Sequence, residues 1–166
     1  MAQTLRGRMA FRAVMGSGVL AALSTCAPPP PPPTVVQLTV TASQDVNPNP
    51  AGQGAPVQIV VYQLGATGSF SSAEFFQLFN QDQATLGTDL VKKDTYTLAP
   101  GQTKTATLSP TEPVKVLGVF AAYQNYQTVV WRGTVPIPAN QTTAVAVAAG
   151  KAGVTVTAGA ASKPGS

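Results

Sequence analysis

The side chains able to do chemistry are few in this 166-residue chain, and their types restrict what it can be. It has no histidine and one cysteine, Cys26. The commonest general base at neutral pH is missing along with the usual imidazole and thiolate metal ligands, so neither a Ser-His-Asp nor a Cys-His site can be assembled. Carboxylates are the remaining route to catalysis, and a hydrolase of that kind would need two of Asp45, Glu74, Asp82, Asp89, Asp94 and Glu112 to converge. Glu74 reads as part of a helix cap and most of the others fall in polar turns. The chain therefore reads as non-catalytic, with no cofactor, no metal and no small-molecule substrate. Nucleic acid is an equally poor fit. The formal charge of +4 owes Arg6, Arg8 and Arg12 to the first dozen residues, and from Cys26 onward seven Lys/Arg meet six Asp/Glu. With no second cysteine, Cys26 is free, paired to another chain, or modified.

The elements around Cys26 bear on that choice. A positively charged start at residues 6–12 is followed by an apolar stretch over residues 13–23, the length of a signal-peptide core. A membrane-spanning helix needs about twenty residues. The stretch ends in Leu23-Ser24-Thr25-Cys26, which resembles the lipobox of bacterial lipoproteins, with Thr25 standing where glycine, alanine or serine is usual. The resemblance implies that residues 1–25 are removed and that Cys26 becomes the first mature residue. It would carry a thioether-linked diacylglycerol and an amide-linked fatty acid. Ala27 in place of aspartate resembles the pattern sorted to the outer membrane. At about 0.8 kcal/mol per buried methylene, three acyl chains make a permanent anchor. The plainer alternative is an ordinary secretory signal followed by an unmodified cysteine. Six prolines, residues 28–33, come next; without amide donors and with φ fixed they should form a polyproline II spacer of roughly 19 Å. A docking peptide for a proline-recognition domain is the weaker alternative.

Residues 34–157 read as an all-β domain of about seven to eight short strands, with a frayed tail over residues 158–166. Alternation is clearest at Val36, Leu38 and Val40 and again at Val154 and Val156. Val57–Leu64 and residues 114–123 are apolar at nearly every position, as central strands covered on both faces would be. Further candidates are residues 96–98, 103–108, 128–135 and 142–148. One segment breaks the pattern: Ser71 as N-cap with Glu74 three residues on predicts a short helix, Phe70 and Phe75 at its staple positions and Phe75, Leu78 and Phe79 on one face. Those Phe read as core rather than as an aromatic ligand box. Pro100-Gly101 fits the centre of a type II turn. Trp131-Arg132 reads as a core indole with a stacked or paired guanidinium, an interface anchor pair being the sharper alternative. The long connection Gln44, Asp45, Val46, Asn47, Pro48, Asn49, Pro50, Ala51, Gly52, Gln53 and Gly54 is too polar and too rich in breakers for a strand, and a long loop on a rigid scaffold is where binding tends to reside.

Several motifs in order resemble the TssJ (SciN) family, the outer-membrane lipoproteins of the bacterial type VI secretion system. They are Asn47-Pro48; Gly54-Ala55-Pro56-Val57 leading into Val60-Val61-Tyr62-Gln63-Leu64; Phe70 with Phe75 and Leu78; Leu86-Gly87-Thr88-Asp89-Leu90; Leu98-Ala99-Pro100-Gly101; Leu117 to Tyr123; and Trp131-Arg132. Gln124 departs from the arginine the family often carries there. The resemblance spans roughly residues 38–137 and implies a transthyretin-like two-layer β-sandwich with one short added helix. It implies a lipid anchor on the periplasmic face of the outer membrane and recruitment of the periplasmic domain of TssM, and through it TssL. By the same resemblance the loop of residues 44–54 contacts TssM. A generic periplasmic lipoprotein with this fold and some other partner is the alternative.

Overall fold

The computed structural model describes residues 28–159; Cys26 and the signal-peptide reading lie outside the described residues. Eight strands form two four-stranded sheets. In chain order they are β1 (Val35–Ala42), β2 (Val57–Leu64), β3 (Leu90–Leu98), β4 (Thr103–Leu108), β5 (Val116–Ala122), β6 (Arg132–Pro136), β7 (Thr142–Gly150) and β8 (Gly153–Gly159). One sheet runs β4-β1-β7-β8, the other β3-β2-β5-β6, and every pairing is antiparallel except β1 with β7. The two-layer all-β sandwich read from the sequence is the fold observed.

The period-2 pattern fixes which side chains meet between the layers. Val36, Leu38 and Val40 of β1 join Val145, Val147 and Ala149 of β7 against Val57, Ile59 and Val61 of β2 and Leu117, Val119 and Ala121 of β5. β2 is buried on its other face too, because Val60, Tyr62 and Leu64 are covered by Phe70, Phe75, Leu78 and Leu86 from the helical segment that follows. That is why β2 is apolar at every position but Gln58 and Gln63.

The helical segment differs from the expectation. It comprises α1 (Gly68–Ser72), α2 (Phe75–Leu86) and a 3-10 turn at Gly87–Asp89. Ser71 lies inside α1 and caps nothing. α2 opens at Glu74, whose backbone N–H donates to the Gln77 side-chain oxygen at 2.8 Å, so the capping pair sits three residues further on. The reason is geometric. Phe70 and Phe75 are five positions apart, so on one unbroken helix they would point roughly 140° away from each other. A break at Ala73 (φ −66°, ψ 142°) lets Phe70 pack on Tyr62 at 5.8 Å and Phe75 on Phe120 at 5.1 Å. Carbonyls freed at the break are taken by Arg132, whose Nη1 donates to Phe70 O at 3.1 Å and Ala73 O at 2.6 Å. The guanidinium lies 4.7 Å from the centre of the Trp131 ring, and the half-buried indole touches both clusters of the core.

Other boundaries moved for local reasons. The expected strand over residues 128–135 begins only at Arg132, since Thr128 N–H closes a turn on Asn125 O at 3.1 Å. Val130 then bridges to the other sheet, accepting from Val154 N–H at 2.7 Å and donating to Ala152 O at 3.2 Å. Gly153 (φ 134°) permits this, because a Cβ there would be driven into the Val130 backbone. β3 starts at Leu90 rather than residue 96, its exposed, Lys-bearing first half being that of an edge strand. β8 extends to Gly159, two residues into the segment read as tail. The type II turn stands, with Gly101 at φ 75° and Gln102 N–H donating to Ala99 O at 3.0 Å.

Candidate partner-binding surface

Register places the loops. β1 pairs Thr41 with Thr103 and Ala42 with Ala149, while β2 pairs Val57 with Leu98 and Gln58 with Ala122. The connections of residues 43–56, 99–102, 123–131 and 151–152 therefore share one end of the sandwich. Thr34 lies at the other end, where its Oγ1 accepts from Asn140 N–H at 2.9 Å and Val35 N–H donates to Gln141 O. The eight residues of β1 span roughly 26 Å between these ends.

The loop of residues 44–54 is built rather than slack. Asn47 sits at φ 47° with 4% exposure; its Nδ2 donates to Pro56 O and its Oδ1 accepts from Gln124 N–H, both at 2.8 Å. Asparagine tolerates that backbone region, and here its amide ties the loop to both its own return and the β5–β6 connection. Val46, fully buried, joins the inter-sheet core beneath. Further out, Asn49 Oδ1 accepts from the backbone N–H groups of Ala51 and Gln53, each at 3.0 Å, and Gly52 at φ 79° completes the turn. Ser43 Oγ donates to Asp45 Oδ1 at 2.6 Å. Of the eleven residues expected to form the site, Val46 and Asn47 are thus structural. Gln44, Asp45, Pro50, Ala51, Gly52 and Gln53 are exposed, and Pro48, Asn49 and Gly54 are half-buried.

Two shallow clefts adjoin the loop. The larger, about 460 Å³, lies between Pro48 and Asn49 on one side and Gln124, Asn125 and Lys151 on the other; the second, about 350 Å³, shares Pro48, Asn125 and Lys151 with it. The sequence reading missed Gln124, Asn125 and Lys151, which belong to connections far along the chain. Lys151 makes no ion pair among the described residues.

The six carboxylates do not gather there. Asp82 accepts from Tyr62 OH at 3.1 Å and pairs with Lys93 at 2.7 Å, tying α2 to β2 and β3. Burial, and then the facing Asp82 carboxylate, push the Tyr62 phenol far above its ordinary range. Asp89 accepts from Ser69 Oγ at 2.6 Å, Asp94 lies 3.9 Å from Lys92, and Asp45 is held by Ser43. Among the described residues no cluster of three or more His, Cys, Asp or Glu is placed to hold a metal ion. What the end of the sandwich offers is a rigid, polar, hydrogen-bonding rim.

That arrangement matches a known family. The model of the type VI secretion lipoproteins, which includes VasD, EvfM and TssJ, matches residues 34–152. The chain belongs to this type VI secretion lipoprotein family. It is similar to the type VI lipoprotein TssJ1 from Pseudomonas aeruginosa at 32% identity, over 79% of this chain and 100% of that one, with a TM-score of 0.75. It is also similar to Serratia marcescens Lip, a membrane-bound component of the type VI secretion system, at 30% identity over 75% and 96% of the two chains, TM-score 0.70. A chain in the structure of the type VI protein TssM C-terminal domain from EAEC shares the fold at 22% identity, over 75% and 98%, TM-score 0.58. No curated protein matches the sequence. Membership makes the chain a lipoprotein of the secretion system and a structural component of it.

Proposed function

We propose that the protein is lipidated on Cys26, held on the periplasmic face of the outer membrane, and binds the periplasmic domain of TssM through the loop of residues 44–54, anchoring the envelope-spanning complex and meeting TssL only through TssM. The observation that carries this reading is the opposition of ends. The folded domain begins at Thr34, where the tether arrives, and the pinned loop rises from the far end of the same strand. A domain held by its N-terminus thus presents the loop to the periplasm, with the six prolines adding reach. Preorganisation supports recognition as well. Asn47, the Asn49 turn and Pro48, Pro50 and Pro56 have already ordered the loop, so little entropy remains to be lost on binding.

The test is calorimetric titration of the full-length chain in detergent with the periplasmic domain of TssM from the same organism. Micromolar or tighter binding is expected, and replacing residues 48–53 with a two-residue turn should abolish it while leaving the melting transition in place. Equal affinity in the shortened variant would move the contact elsewhere on the molecule.

A further inference from the structure

Among the described residues four large apolar side chains are exposed, Phe76, Phe79, Val91 and Val130, and the two aromatic ones lie together. Phe76 and Phe79 of α2 are 53% and 50% exposed although Phe75 and Leu78 beside them already seal the sheet. Their rings are not isolated. Tyr126 stacks on Phe75 at 4.2 Å, Phe76 meets Tyr126 edge-on at 5.2 Å, and Phe79 stacks on Phe75 at 5.9 Å. The result is a preformed shelf, held in place from beneath by Phe120 and Trp131, which contact Phe75 at 5.1 and 5.3 Å. Of the exposed residues beside it in the chain, Gln77, Asn80, Gln124 and Gln127 are uncharged, and Glu74 at the start of α2 carries the one charge. Rigid aromatic side chains in charge-poor surroundings are what the centre of a protein interface is made of, and patches of this kind are uncommon on free monomers.

Size and position indicate the occupant. A stable interface takes about 20–30 residues a side, whereas the loop of residues 44–54 exposes only six. Its footprint has to extend over neighbouring surface. In one direction that surface is continuous: Gln124 receives the Asn47 bond, Asn125 lines both clefts, and Tyr126, next in the chain, is the near edge of the shelf. Phe75 and Tyr126 lie towards the loop end of the sandwich, since Phe120 pairs with Arg132 at the loop end of β5 and β6. Thr34, where the N-terminal segment joins the domain, is at the other end.

We infer that the partner engaged by the loop also covers the shelf of Phe76, Phe79 and Tyr126, and that it does so with an uncharged, apolar surface of its own, the polar loop setting register and the aromatic rings holding the complex. This rests on the TssM reading above. The test compares the full-length protein, its loop-shortened variant, F76S/F79S and F76L/F79L for binding to the immobilised periplasmic domain of TssM. F76S/F79S should bind at least about tenfold more weakly, chiefly through faster dissociation, and F76L/F79L within about threefold of the parent. To guard against a folding effect, a photo-crosslinking benzophenone amino acid at position 79 should link the otherwise intact chain to TssM. Unchanged affinity of F76S/F79S with no crosslink, beside a loop variant that has lost binding, overturns the shelf and leaves the TssM reading standing. A parent chain that does not bind at all overturns both. If TssM affinity is unchanged and the serine variant instead loses self-association in sedimentation or binding to phospholipid vesicles, a second copy or a lipid surface is the occupant and the inference falls.

Discussion

Asn47 concentrates more of this molecule in one side chain than its sequence suggests. In the chain it is half of an Asn-Pro pair, read as loop punctuation; in the fold it is a buried clamp between Pro56 and Gln124, residues nine and 77 positions away. Asn47→Ala takes the side-chain partner from the part-buried Pro56 carbonyl and Gln124 N–H and puts alanine at φ 47°, so it should cost about 1–3 kcal/mol in denaturant unfolding. A loss below roughly 0.5 kcal/mol, the scale of an ordinary surface change, would mean that the loop is held by other groups. Long-range bonds of this kind are illegible in a single sequence because nothing at position 47 names its partner. Tyr123 makes a similar contact on the β7–β8 hairpin, its hydroxyl donating to Gly150 O at 3.0 Å, and burial pushes its phenol up to about 12. The folded chain holds that proton more tightly than the unfolded chain, whose phenol titrates near 10. The contribution is therefore complete below pH 10 and is lost as pH rises towards 12, at roughly 1.4 kcal/mol per pH unit. Denaturation midpoints measured from pH 8 to 11.5 should fall above pH 10, and Tyr123→Phe should flatten that fall.

At the scale of elements, strands were legible where their pattern is governed by burial and not where other forces acted. β2 was read to the residue because two apolar faces leave no ambiguity. β6 is shorter than its apolar run implies because Val129 packs on the inter-sheet core from a bend and Val130, 60% exposed, makes only a backbone bridge to Gly153 across the layers. The helix starts later than the pattern implies because Ser71-Ser72-Ala73-Glu74 fits the capping box, whereas Glu74-Phe75-Phe76-Gln77, the box actually formed, has glutamate where serine or threonine is usual. Only the need to bury Phe70 and Phe75 against the same sheet selects the second. The distinction is measurable: Gln77→Ala should destabilise by about 1 kcal/mol, whereas Ser71→Ala, at an exposed position with no capping bond, should change little. Equal losses in chemical denaturation would restore Ser71 as the start. The candidate site was half legible on the same logic. Loop composition identified residues 44–54, but the clefts also need Gln124, Asn125 and Lys151, and three connections separated by up to a hundred residues meet only because β1, β5 and β7 end together.

On the whole molecule, the proposed tasks of anchoring and partner binding fall at opposite ends of one sandwich, and this separation is itself a prediction. Strand β1 is rigidly paired along its full length, parallel to β7 and antiparallel to β4, so it transmits position between the ends without requiring either to change shape. Removing the lipid should accordingly abolish location and leave recognition untouched. Cys26→Ser is expected to move the protein from the membrane fraction to the soluble periplasmic fraction, while titration with the TssM periplasmic domain gives the parent's affinity within about twofold, the scale of a surface change remote from an interface. Continued membrane fractionation would remove Cys26 as the anchor. A large fall in solution affinity would show instead that the lipid or its spacer contributes to the contact, and that the two ends are coupled after all.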